Sequence, residues 1–68
     1  MVERYVFVNP KNPDEFLSGI SALGVETDTS FRIDAPNGNI MLHIRGTEEA
    51  INRITAVTGY VGMTDRLA

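Results

Sequence analysis

The sequence predicts an α+β domain in which one antiparallel sheet is covered on one face by two helices. Short runs rich in Val, Ile, Phe and Tyr alternate along the chain with two segments of helical periodicity. Two neighbouring strand-like runs are separated only by a turn that contains Asn-Gly, which is typical of a hairpin. The 68 residues are enough for one domain, residues 1–68.

The first two elements are a strand and a helix. Val2 to Val8 has a strand composition, and Asn9-Pro10 ends it. Asn12 is the predicted N-cap of the helix, with Pro13 at its first position, and Gly24 supplies the left-handed residue that ends it. One face of this helix is apolar and carries Phe16, Leu17, Ile20 and Leu23.

A hairpin follows, made of a strand from Val25 to Asp34 and a returning strand from Ile40 to Arg45. Simple alternation places two sets of residues on opposite sides of the first of these strands. One side carries Val25, Thr27, Thr29, Phe31 and Ile33, and the other carries Glu26, Asp28, Ser30, Arg32 and Asp34. The turn between the strands is Ala35 to Asn39.

The last two elements are a second helix and a short strand. Thr47 is the predicted N-cap, Glu48 and Glu49 suit the positive end of the helix dipole, and Gly59 ends the helix. Its buried stripe consists of Ala50, Ile51, Ile54 and Val57. Tyr60 to Thr64 is a predicted edge strand, and residues 65–68 are a predicted frayed end.

This order, β-α-β-β-α-(β), is that of a ferredoxin-like plait, in which the first and third strands are central. The side of the sheet that meets the helices is predicted to carry Val6, Val8, Phe31, Ile33, Ile40, Leu42 and Ile44. The opposite, uncovered side carries a predicted binding surface. Its contacts are Tyr5, Phe7, Met41, His43 and Arg45, with Arg32 and Asp28 as a charged rim.

Composition narrows the function. Nine acidic against six basic residues give a net charge of −3, which disfavours non-specific binding to nucleic acid. There are no cysteines, and His43 is the only histidine. Acid–base work would need an orienting partner, for which Asp28 and Asp34 on the adjacent strand are the candidates, and no nucleophile motif surrounds Ser30. The sequence therefore predicts no enzyme, no metal and no cofactor. It contains no membrane-spanning run, so a cytoplasmic protein is expected.

Two stretches resemble the RNA-recognition-motif family. Val6-Phe7-Val8-Asn9 is similar to its first-strand motif, and residues 42–50 are similar to its third strand running into its second helix. The resemblance implies that Phe7 lies where that family stacks a base. At the matching third-strand positions this sequence has Asn39 and Met41 instead of aromatics.

Three functional hypotheses follow. The leading one is a small non-catalytic protein-binding or regulatory module, such as a phage or prokaryotic regulator or inhibitor, whose partner is another protein or a second copy of itself. The second is a single-stranded RNA binder that uses Phe7 and Tyr5. The third is a dimeric small-molecule sensor, because ACT-type regulatory domains resemble this order of elements.

Overall fold

The computed structural model describes residues 1–11, 13–34 and 38–65, and of residues 29–31 it describes the backbone alone. Four strands and two helices alternate in the predicted order. The strands are β1 (Val2–Val8), β2 (Glu26–Asp34), β3 (Ile40–Gly46) and β4 (Tyr60–Thr64). The helices are α1 (Pro13–Ala22) and α2 (Glu48–Arg53), and a 3-10 helix (Ile54–Ala56) follows α2 directly. The α+β class predicted from the sequence is confirmed.

The four strands form one antiparallel sheet in the order β2-β3-β1-β4. The two central strands are therefore β3 and β1, which confirms the predicted central pair. The short last strand also forms, along the outer side of β1. Both edges of the sheet, β2 and β4, have an irregular register with their neighbours.

Both helices pack on the same face of the sheet. The buried cluster contains residues of β1, β3, both helices and the 3-10 helix, together with Val25, which precedes β2: Val6, Val8, Phe16, Ile20, Val25, Ile40, Leu42, Ile44, Ile51 and Ile54. Each fully buried side chain of this size contributes roughly 1.5–3 kcal/mol of transfer free energy. The predicted helix-facing positions of β1 and β3 are thus confirmed, while the side chain of Phe31 lies outside the described residues.

Helix α1 begins at Pro13, as predicted, whereas its predicted cap Asn12 lies outside the described residues. At the other end the amide of Gly24 donates to the carbonyl of Ser21, and the amide of Val25 donates to the carbonyl of Ile20, both at 3.0 Å. This is a Schellman motif, which requires a left-handed residue, and Gly24 has φ +82°. The chain leaves the helix with Val25 already in the core.

Helix α2 is shorter than its apolar stripe predicts. The side-chain oxygen of Thr47 accepts a hydrogen bond of 3.1 Å from the amide of Ala50, so the predicted cap is confirmed. The α-helix ends at Arg53 and continues as the 3-10 helix. Ile54 and Thr55 are β-branched and lower helix propensity at this point. Val57 nevertheless packs against the core, as the stripe predicts.

The register of β2 corrects the predicted faces of its second half. Thr27 pairs with Ile44 and Arg32 pairs with Leu42, so four residues of β2 lie opposite the single residue His43 of β3. The three extra residues form a wide bulge, and an odd number inverts the alternation. Ile33 pairs with Met41 on the uncovered face, and Arg32 and Asp34 lie on the helix side. The predicted faces of these three residues are wrong.

The predicted turn after β2 falls largely outside the described residues, since residues 35–37 are among those not described. Gly38, which follows them, has φ +88°. The amide of Asn9 donates to the carbonyl of Gly59 at 2.9 Å and connects the end of β1 to the start of β4. Residues 66–68 of the predicted frayed end also lie outside the described residues.

Gly19 brings α1 close to the segment that follows the 3-10 helix. A Cβ atom at Gly19 would lie 2.5 Å from Cγ1 of Val57, which is far inside van der Waals contact. Valine is stiff at χ1, so its methyl group has little room to turn away. The two segments can therefore approach this closely only because glycine has no side chain at position 19.

We expect Gly19→Ala to lower the free energy of unfolding by up to about 2 kcal/mol. Crowding in a packed region costs roughly 1–3 kcal/mol and outweighs the gain of about 1 kcal/mol in helix propensity. In a Val57→Ala background the same substitution is expected to stabilise the protein. Urea denaturation of the two single variants and the double variant measures whether the effect of Gly19→Ala changes from destabilising to stabilising. If Gly19→Ala stabilised the protein with Val57 in place, the close contact between positions 19 and 57 would be contradicted.

Candidate interaction face

The sheet face opposite the helices is the open face. Its side chains form three rows that run across the strands. Residues directly opposite each other in a ladder project to the same side of the sheet, so the register assigns each row. The open face consists of Glu3, Tyr5, Phe7, Glu26, Asp28, Ile33, Met41, His43, Arg45, Gly62 and Thr64.

The first row is apolar and crosses all four strands. Ile33 of β2 lies opposite Met41, Met41 lies opposite Phe7, and Phe7 lies opposite Gly62 of β4. Ile33 is 43% exposed, although it is a large aliphatic side chain. A Cβ atom at Gly62 would be 3.8 Å from Cδ2 of Phe7, so the ring lies beside the backbone of the edge strand. The row is a continuous apolar band with an exposed end.

Met41 is the buried centre of this row. Only 8% of its surface is exposed, even though it lies on the face that the helices do not cover. Its ladder neighbours Phe7 and Ile33 stand on either side of it, at the spacing at which long side chains touch. Ile33 and Phe7 are therefore the more accessible members of the row, and Met41 is buried between them.

The middle row is aromatic and polar. Tyr5 lies between His43 and Thr64, and the rings of Tyr5 and His43 have their centroids 5.0 Å apart with an angle of 30° between their planes. Nε2 of His43 is 3.3 Å from a carboxylate oxygen of Glu3, and Nδ1 is 3.7 Å from one of Asp28. The imidazole is thus fixed between two acids and one ring.

The third row is charged. Arg45 lies between Glu26 and Glu3 in the ladder, and its Nη2 is 3.5 Å from a carboxylate oxygen of Glu26. Both partners of this pair are more than half exposed, so the pair adds at most about 1 kcal/mol to stability. The open face thus changes from apolar at one end to charged at the other.

The structure brings six of the seven predicted binding residues together. Tyr5, Phe7, Met41, His43 and Arg45 share the open face, and Asp28 reaches His43 from β2. Arg32 does not belong to this group, because its pairing with Leu42 places it on the helix side.

The open face also contains residues that the sequence analysis did not assign to the binding surface. Glu3 is two residues before Tyr5 in β1, so the alternation of that strand is enough to place Glu3 on the same face as Tyr5 and Phe7. Ile33 carries no such signal, because its face depends on the number of extra residues in the bulge of β2. It is the most exposed apolar member of the surface.

Among the described residues there is no group of three or more His, Asp or Glu side chains arranged to hold a metal ion. None of the helices in the described part of the chain has the length and hydropathy that crossing a bilayer requires. No family model, no curated protein and no solved structure matches this chain.

Proposed function

We propose that this chain is a ferredoxin-like plait that serves as a non-catalytic protein-binding module and engages its partner through the open face. The fold proposal is supported by the strand order β2-β3-β1-β4 and by two helices on one side of the sheet. The functional proposal rests on one observation, the apolar row from Ile33 to Gly62 across the uncovered face.

The chemistry of the open face defines the partner. The aliphatic side chain of Ile33 and the ring of Phe7 offer an apolar contact of the kind that contributes most of the binding energy at protein interfaces. The charged end carries three acids, Glu3, Glu26 and Asp28, against the single arginine Arg45. Complementary charge orients such encounters, so the partner is expected to place basic side chains beside an apolar ridge.

The same acids speak against nucleic acid as the ligand. Three carboxylates at one end of the face would repel a phosphate backbone, which cationic side chains must neutralise. Tyr5, one of the two rings that base stacking would use, already lies against His43. RNA binding is therefore an alternative outcome of the experiment below.

The decisive variant is Ile33→Lys, with Val61→Lys as its matched control. Both are β-branched residues of edge strands with similar exposure, 43% for Ile33 and 50% for Val61. They differ in position, because Val61 is the unpaired residue between Tyr60 and Gly62 and does not belong to the apolar row. We expect Ile33→Lys to weaken partner capture by at least about tenfold, since a buried apolar anchor contributes 2 kcal/mol or more. Val61→Lys should leave capture unchanged.

Capture is measured by quantitative mass spectrometry on the tagged full chain, together with light scattering and with titration of mixed single-stranded RNA at low salt. A protein that is lost only with Ile33→Lys supports the proposal. A homodimer that Ile33→Lys dissociates supports binding through the open face but contradicts a partner with basic side chains, because it brings two acidic faces together. Equal behaviour of the two lysine variants contradicts it. RNA binding that Phe7→Ala abolishes also contradicts it and favours the second hypothesis.

A further inference from the structure

A cleft lies at the β2 edge of the sheet, between α1 and the irregular part of β2, and its lining includes residues of both faces of the sheet. Its volume is about 650 Å³, within the range of roughly 300–1,000 Å³ typical of small-molecule sites. The residues that line it come from α1, from β3 and from β2 and the residue before it, on both sides of the register shift in β2. They are Leu17, Ser21, Val25, Glu26, Thr27, Asp28, Arg32, Leu42 and Arg45. It shares no residue with the apolar row of the open face, but it shares Glu26, Asp28 and Arg45 with the rest of that face.

The deep part of the cleft is apolar. Val25 and Leu42 form its base and are each 5% exposed, and the half-buried Leu17 of α1 forms one wall. The hydroxyl-bearing residues among those that line the cleft are Ser21 on α1 and Thr27 on β2. The cleft thus offers an apolar slot with hydrogen-bonding groups beside it.

The four charged residues at the mouth of the cleft, Glu26, Asp28, Arg32 and Arg45, have formal charges that sum to zero, but they are not all paired with one another. Arg45 is paired with Glu26 at 3.5 Å, and Asp28 is 3.7 Å from the imidazole of His43. Arg32 is exposed, and within the described part of the chain no salt bridge or hydrogen bond involves it. The guanidinium of Arg32 is therefore the cation that remains for a ligand.

We propose that this cleft binds a small amphipathic carboxylate. The alkyl part of the ligand would pack on Leu17, Val25 and Leu42, and its carboxylate would accept hydrogen bonds from the guanidinium of Arg32. The planar fork of arginine matches the two carboxylate oxygens. A single negative charge fits better than two, because Glu26 and Asp28 at the same mouth would repel a dianion.

The test uses octanoate as the probe, with octan-1-ol and acetate as partial mimics, on the full chain labelled for NMR. Octanoate is expected to shift the amide resonances of Leu17, Ser21 and Thr27, while resonances of Phe7 and Gly62 stay in place. Octan-1-ol lacks the charge and acetate lacks the chain, so each should bind at least about tenfold more weakly. Equal affinity of octan-1-ol and octanoate would overturn the proposal.

Arg32→Gln removes the charge at an exposed position and should leave the fold intact. We expect it to weaken octanoate binding by about tenfold or more. Arg53→Gln is the matched control, because Arg53 lies on α2 and pairs with Glu49 at 2.8 Å, away from the cleft. An unchanged affinity in Arg32→Gln, or an equal loss in both variants, would show that the cleft does not bind through Arg32. Neither result bears on the open face, which the lysine variants test.

Discussion

Phe16→Ala is expected to lower the free energy of unfolding by about 3–5 kcal/mol. Phe16 is fully buried between α1 and the sheet, in the cluster that both helices share. A domain of 68 residues has a total stability of roughly 3–10 kcal/mol. The single substitution should therefore remove most of the stability, and urea denaturation monitored by far-UV circular dichroism should show little folded protein even without urea.

Phe7→Ala is the matched control, because it also removes a phenylalanine ring, but one that lies on the open face of the sheet and not between the sheet and α1. Phe7 is half-buried and its ring lies beside Gly62, so the expected loss is about 1–2 kcal/mol. The variant should remain folded and usable in binding experiments. An equal loss in the two variants would contradict the assignment of the two faces.

Met41→Asp is expected to have the second large effect, a loss of about 3–5 kcal/mol in the free energy of unfolding. Met41 is 8% exposed between Phe7 and Ile33, and a carboxylate there would be a buried charge without a cationic partner in its row. The loss should become smaller in acid, where the aspartate is protonated. Thermal and urea denaturation at two pH values measure both effects.

Ile33→Asp places the same acid on the next strand of the same row, as a control. Ile33 is 43% exposed, so water solvates the new charge and the expected loss is within about 1 kcal/mol. If the two aspartate variants were equally stable, Met41 would be a free surface residue.

Much of the fold follows from local patterns in the sequence. The apolar periodicity of Phe16 and Ile20, the cap at Thr47 and the left-handed residue Gly24 each specify structure within a few residues of themselves. The alternation in β1 and β3 is regular over the whole of both strands, so it also predicts which side chains the two faces carry. These signals suffice for the element order and for the centre of the open face.

The features that the sequence did not predict depend on contacts between distant segments. The number of extra residues in β2 is fixed by its pairing with β3, and nothing within β2 itself indicates where the alternation inverts. The position of Ile33 and the cleft beside Arg32 both follow from that bulge. The burial of Met41 likewise results from neighbours on two other strands, which a pattern along one strand does not reveal.

The contact between Gly19 and Val57 has a consequence for how this domain varies through evolution. The two positions are 38 apart in sequence numbering but share one small volume, which the isopropyl group of Val57 fills. A related chain that carries alanine or serine at the first position should therefore carry a smaller residue at the second. An alignment of such chains should reveal the two positions as a covarying pair, and independent variation would indicate that the helix sits farther out in those relatives.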